Sequence, residues 1–210
     1  MRICLTDAGK RFQRDWIFRH AGFQFTPGRS YAITGPNGSG KSTLLQVIGG
    51  MAGLSEGHIE YKSSEQPLES GQERDLLSFA APYMELIEEM SGLEFLQFHA
   101  GLRPLLPDLT PKDLLEKAGL AGAATKQIRH YSSGMKQRLR LAQAFFSQST
   151  ALILDEPCTN LDRTGIALYE KWIDDCRGER LVLIGSNMES EYSFCDEIVQ
   201  VQQWKLPRPH

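Results

Sequence analysis

The sequence predicts an α/β fold built on a mostly parallel sheet. Three observations predict it. Short apolar runs of strand length alternate with helical stretches at both ends of the chain. A glycine-rich segment sits between one such run and the helix that follows it. From Ser91 to Ser147 the pattern turns helical.

In chain order, Arg2 to Thr6 alternates like a strand, and Ala21 to Phe25 does the same before the turn Thr26-Pro27-Gly28. Ser30 to Thr34 is a short strand, and Lys41 to Ile48 a helix closed by Gly49-Gly50. His58 to Lys62 is a further strand. Glu65 to Glu73 is polar and contains Pro67 and Gly71, so it reads as a surface loop. Leu77 to Ala80 is strand-like. Within the helical block, Leu114, Leu115 and Ala118, then Leu139, Ala142, Phe145 and Phe146, recur at helical spacing. The alternation then resumes with a strand at Ala151 to Leu154, a helix at Thr164 to Cys176 and a strand at Leu181 to Ile184. A short helix at Glu189 to Cys195 and a strand at Ile198 to Val201 follow. Apolar strands set between helices imply a parallel sheet covered on both faces.

The bulk numbers agree with one well-packed unit. The chain has 210 residues, 41% apolar and 23% charged, with a formal net charge of -3. No block of like charge suggests an arm for nucleic acid or lipid. No apolar run approaches the roughly 20 residues needed to span a bilayer, and the N-terminus lacks a signal-peptide core. Cys4, Cys158, Cys176 and Cys195 fit no zinc spacing and no disulfide framework, as expected of reduced thiols in the cytosol.

The segment Gly35, Pro36, Asn37, Gly38, Ser39, Gly40, Lys41, Ser42, Thr43 matches G-x-x-x-x-G-K-[ST]. Successive backbone N–H groups of such a loop curl round a phosphate, and its glycines allow close approach. The helix that follows points its positive N-terminal end at the anion. Lys41 is expected to reach the β- and γ-phosphates of ATP, and Ser42 to offer its hydroxyl to Mg²⁺.

The apolar run Ala151–Leu154 ends in Asp155-Glu156. Two carboxylates at the end of a buried strand need a reason, because an unpaired buried carboxylate is costly. Beside a phosphate loop, Asp155 is expected to support Mg²⁺ and Glu156 to polarise the attacking water.

Between these motifs lies YSSGMKQRLRLAQA, from Tyr131 to Ala144, and here the chain resembles the ATP-binding cassette family of ATPases. Tyr131 to Met135 stand where that family has its L-S-G-G-Q signature; Ser132 and Gly134 match it. Asn160-Leu161-Asp162 resembles the loop that members use across their dimer interface. Phe12, 29 residues before Lys41, stands where the family has an aromatic that stacks on adenine.

The resemblance covers the whole chain. It implies a P-loop NTPase fold in a single cassette, 1–210, with a mostly parallel core and an N-terminal antiparallel part. Residues 1–80 and 148–210 would form the nucleotide-binding core, and 81–147 a helical subdomain. It implies a head-to-tail homodimer with ATP sandwiched between the phosphate loop of one copy and Ser132, Gly134 and Asp162 of the other. It also implies a transmembrane permease partner at about Pro82 to Met90, where Tyr83, Met84, Leu86 and Ile87 would suit a groove. The protein would then sit on the cytoplasmic face of the cell membrane. The compact cassette resembles small exporter subunits, including those linked to haem export for cytochrome maturation.

Two positions depart from the family. Pro82 stands near the usual glutamine, and Asn187 where a γ-phosphate-sensing histidine is usual. Asn can donate a hydrogen bond to phosphate but cannot take a proton at neutral pH. The leading expectation is a transport ATPase whose turnover is slow until its partner engages. The alternatives are a soluble ATPase of the same family and a nucleotide-gated interaction module that scarcely hydrolyses.

Overall fold

The computed structural model describes residues 1–205. β1 (Arg2–Phe12) and β2 (Asp15–Phe25) form a long antiparallel hairpin. Both strands run beyond the expected Arg2–Thr6 and Ala21–Phe25. The register slips between Leu5 and Ala8 and twice more before Arg11, and Asp7 takes a φ of 49°. Such bulges break the two-residue period, so the alternation is lost while pairing continues.

β3 (Ser30–Thr34) leads into α1 (Lys41–Ile48), and β4 (Glu56–Ser63) pairs with β1. The span Glu65–Glu73 is not all loop. It holds β5 (Gln66–Pro67) and the first residue of α2 (Glu73–Leu76). Ser64 and Glu65 both adopt positive φ, 49° and 67°, and this two-residue turn folds Gln66 and Pro67 back onto Ser63 and Lys62. The first sheet has the order β2-β1-β4-β5.

β6 (Leu77–Ala80) precedes α3 (Gly92–Leu102), α4 (Pro111–Lys117) and α5 (Ser133–Phe145). Capping boxes start two of these helices, Ser91 with Glu94 and Thr110 with Asp113, the second with Pro111 in its first turn. β7 (Ala151–Asp155), α6 (Arg163–Cys176), β8 (Leu181–Gly185), α7 (Glu189–Tyr192) and β9 (Glu197–Gln200) follow. α7 ends at Tyr192 rather than at the expected Cys195. The Asp196 carboxylate accepts from both the N–H and the hydroxyl of Ser30, at 2.7 and 2.9 Å, and draws the chain into the sheet. β9 accordingly starts at Glu197, and Val201 opens a 3₁₀ turn.

The second sheet has the order β6-β7-β8-β3-β9, every pair parallel. Alternate residues of β7 feed two cores. Leu152 and Leu154 pack with Phe145, Tyr169 and Trp172, while Ala151 and Ile153 pack with Leu44, Ile33 and Phe25. Truncating Leu154 to Ala should cost about 2–5 kcal/mol. Because β8 lies between β3 and β7, the turns after all three strands emerge side by side at one sheet edge, where open α/β sheets place their ligands.

Candidate nucleotide-binding site

The loop between β3 and α1 borders an open concavity of about 310 Å³. Asn37, Gly38, Gly40, Lys41, Ser42 and Thr43 line it, together with Ile17 from β2 and Glu156 from the end of β7. Gly40 has a φ of 106°, and a Cβ there would lie 2.5 Å from Ile17 Cγ2, so only glycine fits. No side chain caps α1 and no acid stands in its first turn, which leaves its N-terminal N–H groups open to an anion. The Lys41 ammonium turns back to donate to the Gly35 carbonyl at 2.7 Å. Its charge therefore meets dipoles, not a carboxylate.

Asp155 closes β7 and is 1% exposed. Burial pushes its carboxyl above the usual range, while the hydroxyls of Ser42 and Tyr83, which face it, and the more distant Lys41 ammonium act in the opposite sense. Neither carboxylate oxygen has a partner within hydrogen-bonding distance. Two orphaned buried oxygens beside a serine hydroxyl are a donor set suited to a hard cation, so these residues fit Mg²⁺.

Glu156 adopts a φ of 43°, a left-handed conformation that non-glycine residues seldom hold. Its N–H donates to the Gly185 carbonyl at 2.8 Å, and its carboxylate faces the concavity, where Thr159 Oγ1 lies 3.5 Å away. Asn187 follows β8, and its Nδ2 donates to Asn37 Oδ1 at 2.8 Å.

Ser132, Gly134, Asp162 and Phe12 do not border the concavity. Ser132 caps α5 by accepting from the Met135 N–H. Gly134 lies so close to the Asn160 carbonyl that a Cβ would sit 2.9 Å from it. Asp162 caps α6 through the Gly165 N–H at 2.8 Å. The signature segment and the Asn160–Asp162 loop thus meet each other, away from the phosphate loop. Phe12 stands at the hairpin tip, 52% exposed, with the Lys10 ammonium over its ring.

Of the expected groove residues, Leu86 packs into the helical core, 8% exposed, and still borders the groove, whereas Tyr83 does not line it. The hydroxyl of Tyr83 points at Asp155 and at Gln46 of α1, and burial raises its phenol, so it stays neutral. β6 runs parallel to β7 with Ala80 opposite Leu154, which carries the chain after β6 towards Asp155. The structure adds Ile17, Gln46 and Tyr83 to the residues read from motifs. None of the three lies in a motif; Gln46 follows the loop directly on α1, while Ile17 and Tyr83 are brought to it by the fold.

A phosphate loop after one parallel strand, an acidic pair after a second and the Ser186-Asn187 turn on the strand between them define a P-loop nucleotide-binding fold. The model of the family described as ABC transporter matches residues 18–159, and the chain belongs to that family. It is 35% identical over 146 residues to the cytochrome c biogenesis ATP-binding export protein CcmA of Xylella fastidiosa, a match spanning 70% of this chain and 65% of that relative. It is 29% identical to the lantibiotic transport ATP-binding protein SrtF of Streptococcus pyogenes, over 90% of this chain and 82% of the relative. A solved ATP-binding cassette, a dimer in a post-hydrolysis state with ADP and Pi, superposes with a TM-score of 0.80 at 20% identity, over 98% of this chain and 97% of that one. That likeness is one of fold.

Proposed function

We propose that the chain is the ATP-binding and ATP-hydrolysing subunit of a membrane transporter. The observation that carries this reading is the sharing of one concavity by the phosphate loop and Glu156, with the orphaned Asp155 carboxylate beside Ser42. Gly35 to Thr43 wrap the phosphates with backbone N–H groups. Lys41 leaves the Gly35 carbonyl for the β- and γ-phosphates, which offer it a full opposite charge. Glu156 orients and polarises the attacking water. Ser42 and Asp155 would hold Mg²⁺, which when bound offsets charge on the phosphates. Asn187, steadied by Asn37, donates to the γ-phosphate. Ile17 and Phe12 flank the adenosine end.

Ser132, Gly134 and Asp162 serve a second copy, which explains their distance from their own chain's loop. The cassette solved as a dimer with ADP and Pi supports pairing of two copies, and the head-to-tail arrangement is part of this reading. The relatives named for export and for lantibiotic transport support a membrane role.

No helix among the described residues is long and apolar enough to cross a membrane. In this reading transport runs through a transmembrane partner. Its docking face is the groove between α1, β6 and α3. Met51, Phe79, Met84, Phe98 and Leu102 line its walls, and Leu102 is 72% exposed. Met84 to Ile87, from the expected contact segment Pro82 to Met90, line part of this groove. The protein would lie on the inner face of the membrane, with residues 81–147 as the partner-facing subdomain.

The test is to recover the protein from native membranes and identify what accompanies it. An integral membrane protein lost from the Phe98→Glu/Leu102→Glu variant supports the reading. Recovery of only soluble or ribosomal partners sinks it. ATP hydrolysis that survives Glu156→Gln at the parent rate removes Glu156 from the chemistry.

A further inference from the structure

One peptide group just after Glu156 is held at both ends. Gln137 of α5 donates Nε2–H to the Pro157 carbonyl at 2.9 Å, and Glu191 of α7 accepts from the Cys158 N–H at 3.0 Å. That carbonyl and that N–H belong to a single planar amide, so the two side chains fix its orientation between them. Gln137 is 1% exposed and Glu191 2%. Polar groups buried this deeply are costly unless they are bonded; each is bonded to this one backbone unit, while Gln137 Oε1 and Glu191 Oε2 have no partner.

The location of this peptide matters. Pro157 has no N–H, so the amide of Cys158 is the first backbone donor after Glu156. Glu156 holds a φ of 43°, a strained state that persists only where neighbours enforce it. The Glu156 N–H bond to the Gly185 carbonyl enforces it from upstream. The gripped peptide enforces it from downstream. Each grip comes from an element with its own link to the site. α5 begins at the signature residues Ser132–Gly134. α7 follows Ser186-Asn187, where the Met188 N–H bonds the Ser186 hydroxyl at 2.9 Å. α7 is itself anchored on α6, because the Tyr169 hydroxyl donates to the Glu191 backbone carbonyl at 2.6 Å.

We infer that Gln137 and Glu191 are positioning residues that clamp the Pro157–Cys158 peptide and thereby aim the Glu156 carboxylate, coupling its orientation to the signature helix on one side and the switch turn on the other. This role rests on ATP hydrolysis at Glu156. A tilt of either helix turns the peptide, and with it Glu156 and the loop through Asp162.

The test uses the full chain and four variants. Glu191→Ala and Gln137→Met each release one end of the peptide, Glu191→Gln keeps an acceptor oxygen, and the fourth combines Gln137→Met with Glu191→Ala. The expected result is a kcat lower by about tenfold or more in both releasing variants, with the Kd for ATP within about threefold of the parent. Glu191→Gln should stay within about threefold of parental kcat. The double variant should be no slower than the slower single, because the same peptide is released only once. Amide hydrogen exchange at Cys158 should quicken in both releasing variants, including Gln137→Met, which leaves the Cys158 bond itself intact.

Parental kcat and unchanged Cys158 exchange in both releasing variants overturn the clamp. So does a loss of rate matched by an equal loss of ATP affinity, or a Glu191→Gln variant as slow as Glu191→Ala. If Glu191→Ala does not fold, Gln137→Met and Glu191→Gln decide the question. A parent that does not hydrolyse ATP overturns the proposed function and the aiming role with it, while the exchange measurement still decides whether the grip exists.

Discussion

Asn187 and Asn37 join the switch turn to the phosphate loop through a 2.8 Å amide–amide hydrogen bond. The bond runs from the turn after β8 to the loop after β3, two strands that are neighbours in the sheet. It fixes the Asn187 side chain before any nucleotide arrives. Asn187→Ala should therefore lower kcat by roughly tenfold while leaving ATP affinity nearly unchanged. Asn187→His should add a group that titrates near pH 6.5. A rate–pH profile from 5.5 to 8 checks this: an inflection should appear in the His variant and be missing from the parent.

The Tyr83 hydroxyl faces Asp155 and Gln46 near where the family glutamine is lacking. Tyr83→Phe removes that hydroxyl and little else. The Mg²⁺ concentration needed for half-maximal ATPase should rise by about two- to fivefold, with the melting temperature nearly unchanged. A variant with parental Mg²⁺ dependence would show that the hydroxyl does not support the metal site.

At Gly134, any Cβ meets the Asn160 carbonyl oxygen at 2.9 Å. Gly134→Val should push the Asn160–Asp162 loop out of place while the chain still folds. In a Glu156→Gln background, ATP-driven dimer formation measured by light scattering should be lost. ATP binding to the single copy should persist, since Gly134 lies outside its own concavity.

His99 carries a stability prediction. Burial, and then the charge of Arg103, lower its imidazole from 6.5 to about 4. The neutral Nε2–H form satisfies its surroundings. It donates to Ser147 Oγ at 2.8 Å and accepts from Gln143 Nε2 at Nδ1, 3.0 Å away. Protonation would set two donors against each other at Nδ1. The unfolded chain takes up the proton near pH 6.5, and the folded one only near 4. Stability is thus fully present above 6.5 and falls as the pH drops towards 4, by on the order of 2 kcal/mol after discounting for partial exposure. Thermal melts at pH 7 and 5 should show a steeper loss in the parent than in His99→Gln.

The legible parts of the sequence were those whose chemistry is contiguous. The run Gly35 to Thr43 carries its glycines, lysine and serine in nine consecutive positions, and Asp155-Glu156 closes a uniformly apolar strand. Tyr83 was misleading because its neighbours Met84 and Ile87 do line the groove, while its own direction depends on β6 pairing with β7. Leu86 also borders that groove, and only packing shows that most of its surface is spent in the helical core. The β5 hairpin was hidden because Ser64 and Glu65 form a left-handed turn without glycine or asparagine. Ile17, Gln137 and Glu191 lie far from the loop in sequence, and no spacing rule ties them to it.

The strand order also bears on the birth of the protein. The neighbours of β3 in the sheet are β8 and β9, which end at Gly185 and Gln200. During synthesis the loop-bearing strand, finished at Thr34, emerges from the ribosome long before either flank exists. The nascent chain must keep an apolar strand from mispairing until residues 181–200 are made, a long-range pairing that slows folding and makes the incomplete chain a natural client for chaperones.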